Sequence, residues 1–286
     1  MGSTLKSLLI CASAMLMLGM AHARQEPPRR IISLLPSATE MVCALGACDR
    51  LIGVDEFSLD PPQVRALPRL GKTWQPDIER ILTLRPDMVL VGQVGGVIGR
   101  LQAAKIPYMV ADATTMEQVH TMLGKLDVLL QTRQSKALWQ RMQQQVDATA
   151  QQLRSHGAGA SVYLEIDPAM YTAGPHSFMG QLLGRLGARN IAPSGGAHFM
   201  RLSPEFVLHA DPDLLILAYP HSSLKALEDR PGWQHMRALQ PDQRTRRVCQ
   251  LTEEESRTVT RPGPRLDQAA TIYAACILRL NAPSTP

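Results

Sequence analysis

The chain is poor in aromatics, with three Trp, five Tyr and four Phe in 286 residues. It also lacks a striped basic face: arginines are scattered, apart from Arg244, Arg246 and Arg247, and the formal net charge is a mild +5. A nucleic-acid surface needs clustered Lys and Arg against the phosphates, so no nucleic-acid partner is expected. Catalytic signatures are missing as well. There is no Gly-x-Ser-x-Gly elbow and no His-Glu-x-x-His, and Gly95-Gly96-Val97-Ile98-Gly99 has the wrong spacing for a dinucleotide loop. Nothing in the sequence supports an enzyme.

Long apolar runs are confined to the amino terminus. Lys6 precedes an apolar stretch from Leu8 to Met20, and Ala21-His22-Ala23 has the small-x-small form of a cleavage site. The run is too short to span a bilayer. Residues 1–23 are therefore expected to be a secretory leader cut after Ala23, with the product exported to the periplasm. Cys11 follows Ile10 rather than a small residue, which argues against a lipid anchor. Cysteine is sparse too. Cys43, Cys48, Cys249 and Cys276 remain after the leader, with no Cys-x-x-Cys or paired histidines to make a metal site. In an oxidising compartment Cys43–Cys48 could close a helix end and Cys249–Cys276 could tie a strand to the last helix. The alternative is that they are buried thiols acting as small hydrophobes.

What the chain does contain is a repeat. Residues 77–91 (DIERILTLRPDMVLV) and 203–217 (SPEFVLHADPDLLIL) align without a gap, 126 positions apart. Each copy reads as a short helix opening with an acid, a Pro-Asp turn and a buried strand. A looser echo pairs Leu45-Gly46-Ala47 with Leu186-Gly187-Ala188. Strand-like and helical patterns alternate on both sides, as in α/β layering with parallel strands. Between them, Gln134 to Ser155 contains no Gly or Pro, and Leu138, Met142, Val146 and Leu153 recur at helical spacing. A helix of that length reaches on the order of 30 Å, the span of a small domain. The expected organisation is an amino-terminal α/β lobe over 24–133, one long rigid helix over 134–156 and a carboxy-terminal α/β lobe over 157–286. The two Rossmann-like lobes would enclose a ligand cleft. Glu79 and Glu205 sit at matched positions of the repeat. Each favours a helix start, behind Asp77 or Ser203 as N-cap. Together they would also offer one carboxylate per lobe to a two-fold symmetric partner bearing arginines.

These features resemble the substrate-binding proteins of ABC importers for cobalamin, haem and ferric siderophores, the class whose lobes are joined by a single long helix. The resemblance covers residues 29–281. It rests on Arg30-Ile31-Ile32-Ser33-Leu34-Leu35-Pro36-Ser37-Ala38-Thr39-Glu40, Thr73-Trp74-Gln75 with Glu79-Arg80-Ile81, Arg85-Pro86-Asp87, Leu186-Gly187-Ala188-Arg189-Asn190-Ile191 and Arg261-Pro262-Gly263-Pro264-Arg265. It implies a monomer with little lobe closure, no resident cofactor, a metal chelate as cargo, and an inner-membrane permease dimer on which Glu79 and Glu205 dock. Thr-Trp-Gln followed by Glu-Arg is closest to the cobalamin branch, whose tryptophan packs on the corrin. The chain departs from that branch at Gly92-Gln93, where a second aromatic is expected, and around Gly184–Leu186, where a cysteine partner is missing.

Ligands of open α/β sheets lie on loops at the strand ends. In the first lobe this points to Pro36, Ser37, Trp74, Gln93 and Asp112. In the second it points to Tyr171, His176, Tyr219 and His221, with Arg257 and Arg261 on a loop over 255–261 facing carboxylates or phosphates of the ligand. Tyr171, Tyr219, His176 and His221 are also the types that hold haem iron, or else they are polar loop residues without coordination. The expected function is a periplasmic carrier of a corrinoid, or else of haem or a ferric siderophore. A further alternative is an exported scaffold, which would need the paired acids but no deep cleft.

Overall fold

The structure, a computed structural model, describes residues 26–154 and 159–281. The leader and its cleavage after Ala23, the end of the inter-lobe segment at His156-Gly157-Ala158 and the tail at Pro283–Pro286 lie outside the described residues. The first lobe is built on a parallel sheet of order β2-β1-β5-β6, with β1 Ile31–Ser33, β2 Leu51–Val54, β5 Met88–Val91 and β6 Tyr108–Val110. A small antiparallel pair, β3 Gly71–Lys72 and β4 Gln75–Pro76, carries the Trp74 turn between its strands. Around the sheet run α1 Pro36–Ala44, α2 Ile78–Thr83, α3 Gly95–Ala103 and α4 Met116–Leu130. The second lobe has β7 Ser161–Asp167, β8 Tyr171–Ala173, β9 Arg189–Asn190, β10 Phe199–Arg201, β11 Leu214–Leu217 and β12 Val248–Gln250, with the short helices α8 Leu224–Glu228 and α9 Arg244–Arg247 between the last two. Its sheet order is β10-β8-β7-β11-β12 with β9 also on β7; β7, β9, β11 and β12 are parallel, while β8 pairs antiparallel with β7 and β10 forms the antiparallel edge beyond it.

The sequence repeat has a structural counterpart. In each lobe the repeated strand pairs in parallel with that lobe's first strand, Met88 opposite Ile31 and Leu214 opposite Val162. The repeated aspartate fastens the start of the neighbouring strand. Asp87 Oδ2 accepts the Arg29 and Arg30 N–H groups, both at 2.9 Å. Asp213 Oδ2 accepts the Ser161 N–H at 2.9 Å and its hydroxyl at 2.7 Å. The preceding proline ends the helix and lacks the N–H that would extend it, so Pro-Asp turns the chain and pins two strands at once.

Between the lobes lies α5 Ser135–Leu153. Leu138, Met142, Val146, Ala150 and Leu153 form its buried stripe, the 3.6-residue periodicity expected of a helix packed on one side. The closing helix α11 Leu266–Leu278 packs along it. One core runs continuously from Met41, Leu45, Leu123 and Leu126 through α5 to Tyr273 and Ile277, joined by Phe178 and Leu182 of α6 Phe178–Arg185. Separate clusters cover the outer faces of the two sheets, around Val89 and Leu101 in the first lobe and around Tyr163, Leu215 and Trp233 in the second. The lobes therefore share their interior.

Four elements differ from the sequence expectation. Gly95 and Gly96 were expected in a loop but open α3, which is held by the buried Val97 and Leu101 despite the poor helix propensity of glycine. β8 stands at the start of the loop expected over 171–177, and β10 pairs with it where the sequence indicates no element. The segment over 255–261 lies mostly in α10 Glu253–Thr260, whose polar sequence hides its periodicity. A local signal for α10 does exist. Thr252 and Glu255 form a capping box, with the Glu255 N–H donating to Thr252 Oγ1 at 3.2 Å and the Thr252 N–H donating to Glu255 Oε2 at 2.8 Å.

Candidate functional site

The lobes meet along two seams. In the first, the Phe178 N–H donates to the Thr114 carbonyl at 2.8 Å, and the Met116 N–H donates to Gln181 Oε1 at 2.8 Å. The turn before α6 makes this approach possible. The Ser177 hydroxyl donates to the Gly174 carbonyl at 2.7 Å and accepts the Gly180 N–H at 3.1 Å. A Cβ at Gly180 would stand 2.2 Å from the Gly174 oxygen, so only glycine fits there. Gln93 and Asp112 come together beside this seam, the Asp112 carboxylate accepting the Gln93 N–H. His176 is exposed on the turn itself.

The second seam is ionic. Arg265 grips Glu40 with two nitrogens, Nη2 to Oε1 at 2.6 Å and Nε to Oε2 at 2.9 Å. Arg261 Nη1 donates to Glu40 Oε1 at 2.8 Å and to Asp60 Oδ2 at 3.2 Å. Arg257 Nε donates to Asp60 Oδ2 at 3.3 Å. Glu40 is buried on α1, where it could not remain charged without such partners. Arg257 and Arg261, expected to reach a ligand, are thus engaged by acids of the other lobe. Ser37, expected in a loop, is buried within α1 close to Gly263 of the same seam. Pro36 opens that helix and is half-buried.

Above this seam stands an aromatic wall. Trp74, 57% exposed, stacks on Phe57, 40% exposed, with ring centroids 5.5 Å apart and planes 23° from parallel. Lys72 Nζ lies 5.8 Å from the Trp74 ring centroid. Both rings hang from Asp55, whose carboxylate accepts the Phe57 N–H at 3.2 Å, the Thr73 hydroxyl at 3.1 Å and the Ser58 hydroxyl. Burial pushes the Asp55 carboxyl above the usual carboxylate range, against those hydrogen bonds and the nearby Arg261 charge. Phe57 escapes a sequence reading because it stands alone among polar residues; its only cue is the turn chemistry of Asp-Glu-Phe-Ser. On the second lobe, Tyr171 and Phe199 are also exposed, at 46% and 37%. They lie on one face of the β8–β10 ladder, with Tyr171 directly opposite Arg201. That ladder leads straight into the Gly174–Ser177 turn at the first seam.

Tyr219 departs from the expected placement. It is buried, and its hydroxyl donates to Glu165 Oε1 at 2.8 Å. Tyr163 donates to the same fully buried carboxylate at 2.9 Å, and Arg230 pairs with both its oxygens at 2.6 and 2.8 Å. Burial, reinforced by the Glu165 charge, raises both phenols, so neither is a ready phenolate ligand for a metal. Trp233 is a packing anchor of this network: it is fully buried, lies under Arg230 at 4.5 Å and donates to the Pro204 carbonyl at 3.2 Å. His221 is exposed in the turn after β11. Among the described residues no group of three or more His, Cys, Asp or Glu could hold a metal ion.

Glu79 and Glu205 are both exposed, on α2 and on α7 Pro204–Ala210. Asp77 caps α2 by accepting the Arg80 N–H at 3.0 Å, and Ser203 caps α7 by accepting the Phe206 N–H at 3.2 Å. The Glu205 backbone N–H and the Ser203 hydroxyl hold the Glu205 carboxyl below its usual range. Cys43 is bonded to Cys48 at the end of α1, and Cys249 on β12 to Cys276 on α11. A cavity of about 1260 Å³ lies elsewhere, between the Glu26–Arg29 segment and α4 at the start of the first sheet. It has no stacked aromatic pair, and the geometry of the seams rather than volume locates the candidate site.

Known proteins share this fold. The chain is similar to the vitamin B12-binding protein of Pectobacterium atrosepticum, at 29% identity over 269 residues, covering 90% of this chain and 92% of that one. It also resembles the crystal structure of a periplasmic heme-binding protein from Pseudomonas aeruginosa, with 26% identity, a TM-score of 0.71, and coverage of 88% of this chain and 93% of that one. The periplasmic vitamin B12-binding protein BtuF of Vibrio cholerae has the same fold, with a TM-score of 0.69 at 20% identity over 90% of this chain and 99% of that one. Members of this class are substrate-binding proteins of ABC importers, with two lobes and a connecting helix. The model of the family described as Periplasmic binding protein matches residues 31–247, and the chain belongs to that family.

Proposed function

We propose that the protein captures a bulky metal chelate, a corrinoid in the first instance, between its lobes and hands it to an inner-membrane ABC permease, acting as a periplasmic carrier and not as an enzyme. The observation that carries this reading is the stacked Phe57–Trp74 pair, an apolar surface left open to solvent yet fixed from beneath by Asp55. Large exposed rings held rigid suit a flat amphipathic macrocycle, because little side-chain freedom is lost on binding. Tyr171 and Phe199 offer a second aromatic surface on the opposite lobe. Gln93, Asp112 and His176 would line the floor between them. Docking on the permease falls to Glu79 and Glu205, exposed at matched positions of the repeat.

Haem is the second reading, supported by the exposed Tyr171 phenol facing Arg201 across the β8–β10 ladder. A phenol beside a guanidinium is a suitable axial ligand for ferric iron. Titrating the mature protein with cyanocobalamin, haemin and a ferric siderophore separates these readings by tryptophan quenching, with a non-binding protein to correct inner-filter loss. Saturable quenching by the corrinoid, lost in Trp74→Ala, is expected. Saturation by haemin alone, lost in Tyr171→Phe, selects the second reading. No saturation by any of the three overturns the carrier function.

A further inference from the structure

Phe57 is anchored at both of its backbone polar groups, and its two side-chain partners come from different lobes. Its N–H is taken by Asp55 of its own lobe at 3.2 Å, while its carbonyl accepts the neighbouring Leu59 N–H at 3.0 Å and Arg261 Nη2 of the second lobe at 2.7 Å. We propose that Arg261 is a positioning residue for chelate capture, setting the Phe57–Trp74 wall from the opposite lobe. This rests on the reading of that wall as the ligand surface. The arginine does more than neutralise charge. Arg265 already grips Glu40 with two nitrogens, and Asp60 already has Arg257 and Arg65 beside it. Arg261 adds the link from that acidic pair to the Phe57 carbonyl.

Its geometry suits the task. The guanidinium is a rigid planar fork whose Nη1 serves Glu40 and Asp60 while Nη2 serves Phe57, and its side chain is only 11% exposed. A lysine ammonium is a point charge and cannot hold those directions together. Asp55 completes the device by binding Thr73, the residue before Trp74, so both rings answer to one buried carboxylate and one inter-lobe arginine. The wall is therefore in register only when the lobes hold their mutual orientation.

The test uses ¹⁹F NMR of the full mature protein labelled with 5-fluorotryptophan, which carries signals from Trp74, Trp139 and Trp233. Trp74 is assigned by the signal lost in Trp74→Phe. In Arg261→Lys the Trp74 resonance is expected to shift or broaden while the other two stay in place, and affinity for cyanocobalamin or haemin, whichever the wild type binds, is expected to weaken on the order of tenfold. Arg257→Lys perturbs the same ionic cluster without touching Phe57 and should leave Trp74 in place. A Trp74 resonance unmoved in Arg261→Lys, or moved equally by Arg257→Lys, overturns the proposal. If Arg261→Lys does not fold, Arg261→Met removes the donor to the Phe57 carbonyl while Arg265 and Arg257 stay on Glu40 and Asp60, and an unmoved Trp74 signal there overturns it too. The resonance is read without ligand, so a wild type that binds none of cyanocobalamin, haemin and a ferric siderophore defeats the functional reading separately from the positioning result.

Discussion

Asp127 shows how much one side chain can organise. At the turn from α4 to α5 its carboxylate accepts the Thr132 hydroxyl at 2.5 Å, the Gln134 N–H at 2.9 Å, and the Ser135 N–H and hydroxyl at 3.2 and 2.7 Å. Burial opposes ionisation, but these donors outweigh it and hold the carboxyl down to about 2. With the folded value below the unfolded one, the carboxylate stabilises the fold above about pH 4 and loses that contribution as the pH falls toward 2. Solvent screening limits the effect to about 1 kcal/mol. Asp127→Asn is expected to lower stability by that amount at pH 7 and to flatten the acid limb of a urea-denaturation series; an unchanged acid limb contradicts it. Trp233→Ala, by emptying the second lobe's outer core, is expected to cost about 3–5 kcal/mol in the same assay. At this scale the sequence was only partly legible. Trp74 stands out because its neighbours are polar and turn-forming, whereas Phe57 becomes meaningful only once a distant loop brings it under that ring. Tyr219 and Arg261 were legible as residues at strand ends and loops, but their partners Glu165 and Glu40 are 54 and 221 positions away, and no local pattern encodes such pairings.

Among elements, α5 was the most readable, because an uninterrupted helical stripe needs no tertiary information. Its buried Met142 belongs to the core shared by both lobes. Met142→Ala is expected to cost about 2–5 kcal/mol and to lower the thermal midpoint in one transition. Two separated transitions, with the first lobe unaffected, would contradict a shared interior. The repeated helix–turn–strand units were equally legible, since Pro-Asp encodes both the chain reversal and the fastening of the next strand. Elements whose stability comes from neighbours were not: α3 begins on two glycines, and the short strands β8 and β10 have too few residues for a period to emerge. α10 lay between these cases, announced by its capping box but lacking an apolar stripe.

At the level of the whole molecule, the ionic seam and the continuous core resist relative motion of the lobes. Glu40→Gln leaves Arg261 and Arg265 without their shared buried carboxylate and is expected to cost about 3–5 kcal/mol in urea unfolding. A near-neutral result would mean that the seam contributes little. Reversing both exposed acids of the repeat in Glu79→Lys/Glu205→Lys is expected to abolish uptake through the cognate permease while leaving chelate affinity intact; normal uptake by that variant would sink the docking role. The two-lobed plan was legible from the repeat and the long helix, but the sharing of one interior was not, because it depends on where the last helix lies. α11 packs along α5, supplies Tyr273 and Ile277 to the common core, and is bonded through Cys276 to β12. A polypeptide delivered amino terminus first must therefore wait for its closing helix before either half can finish burying its apolar surface. Until then the growing chain exposes an apolar seam on α5, and truncations that remove α11 are expected to fail as a whole rather than leave a working half.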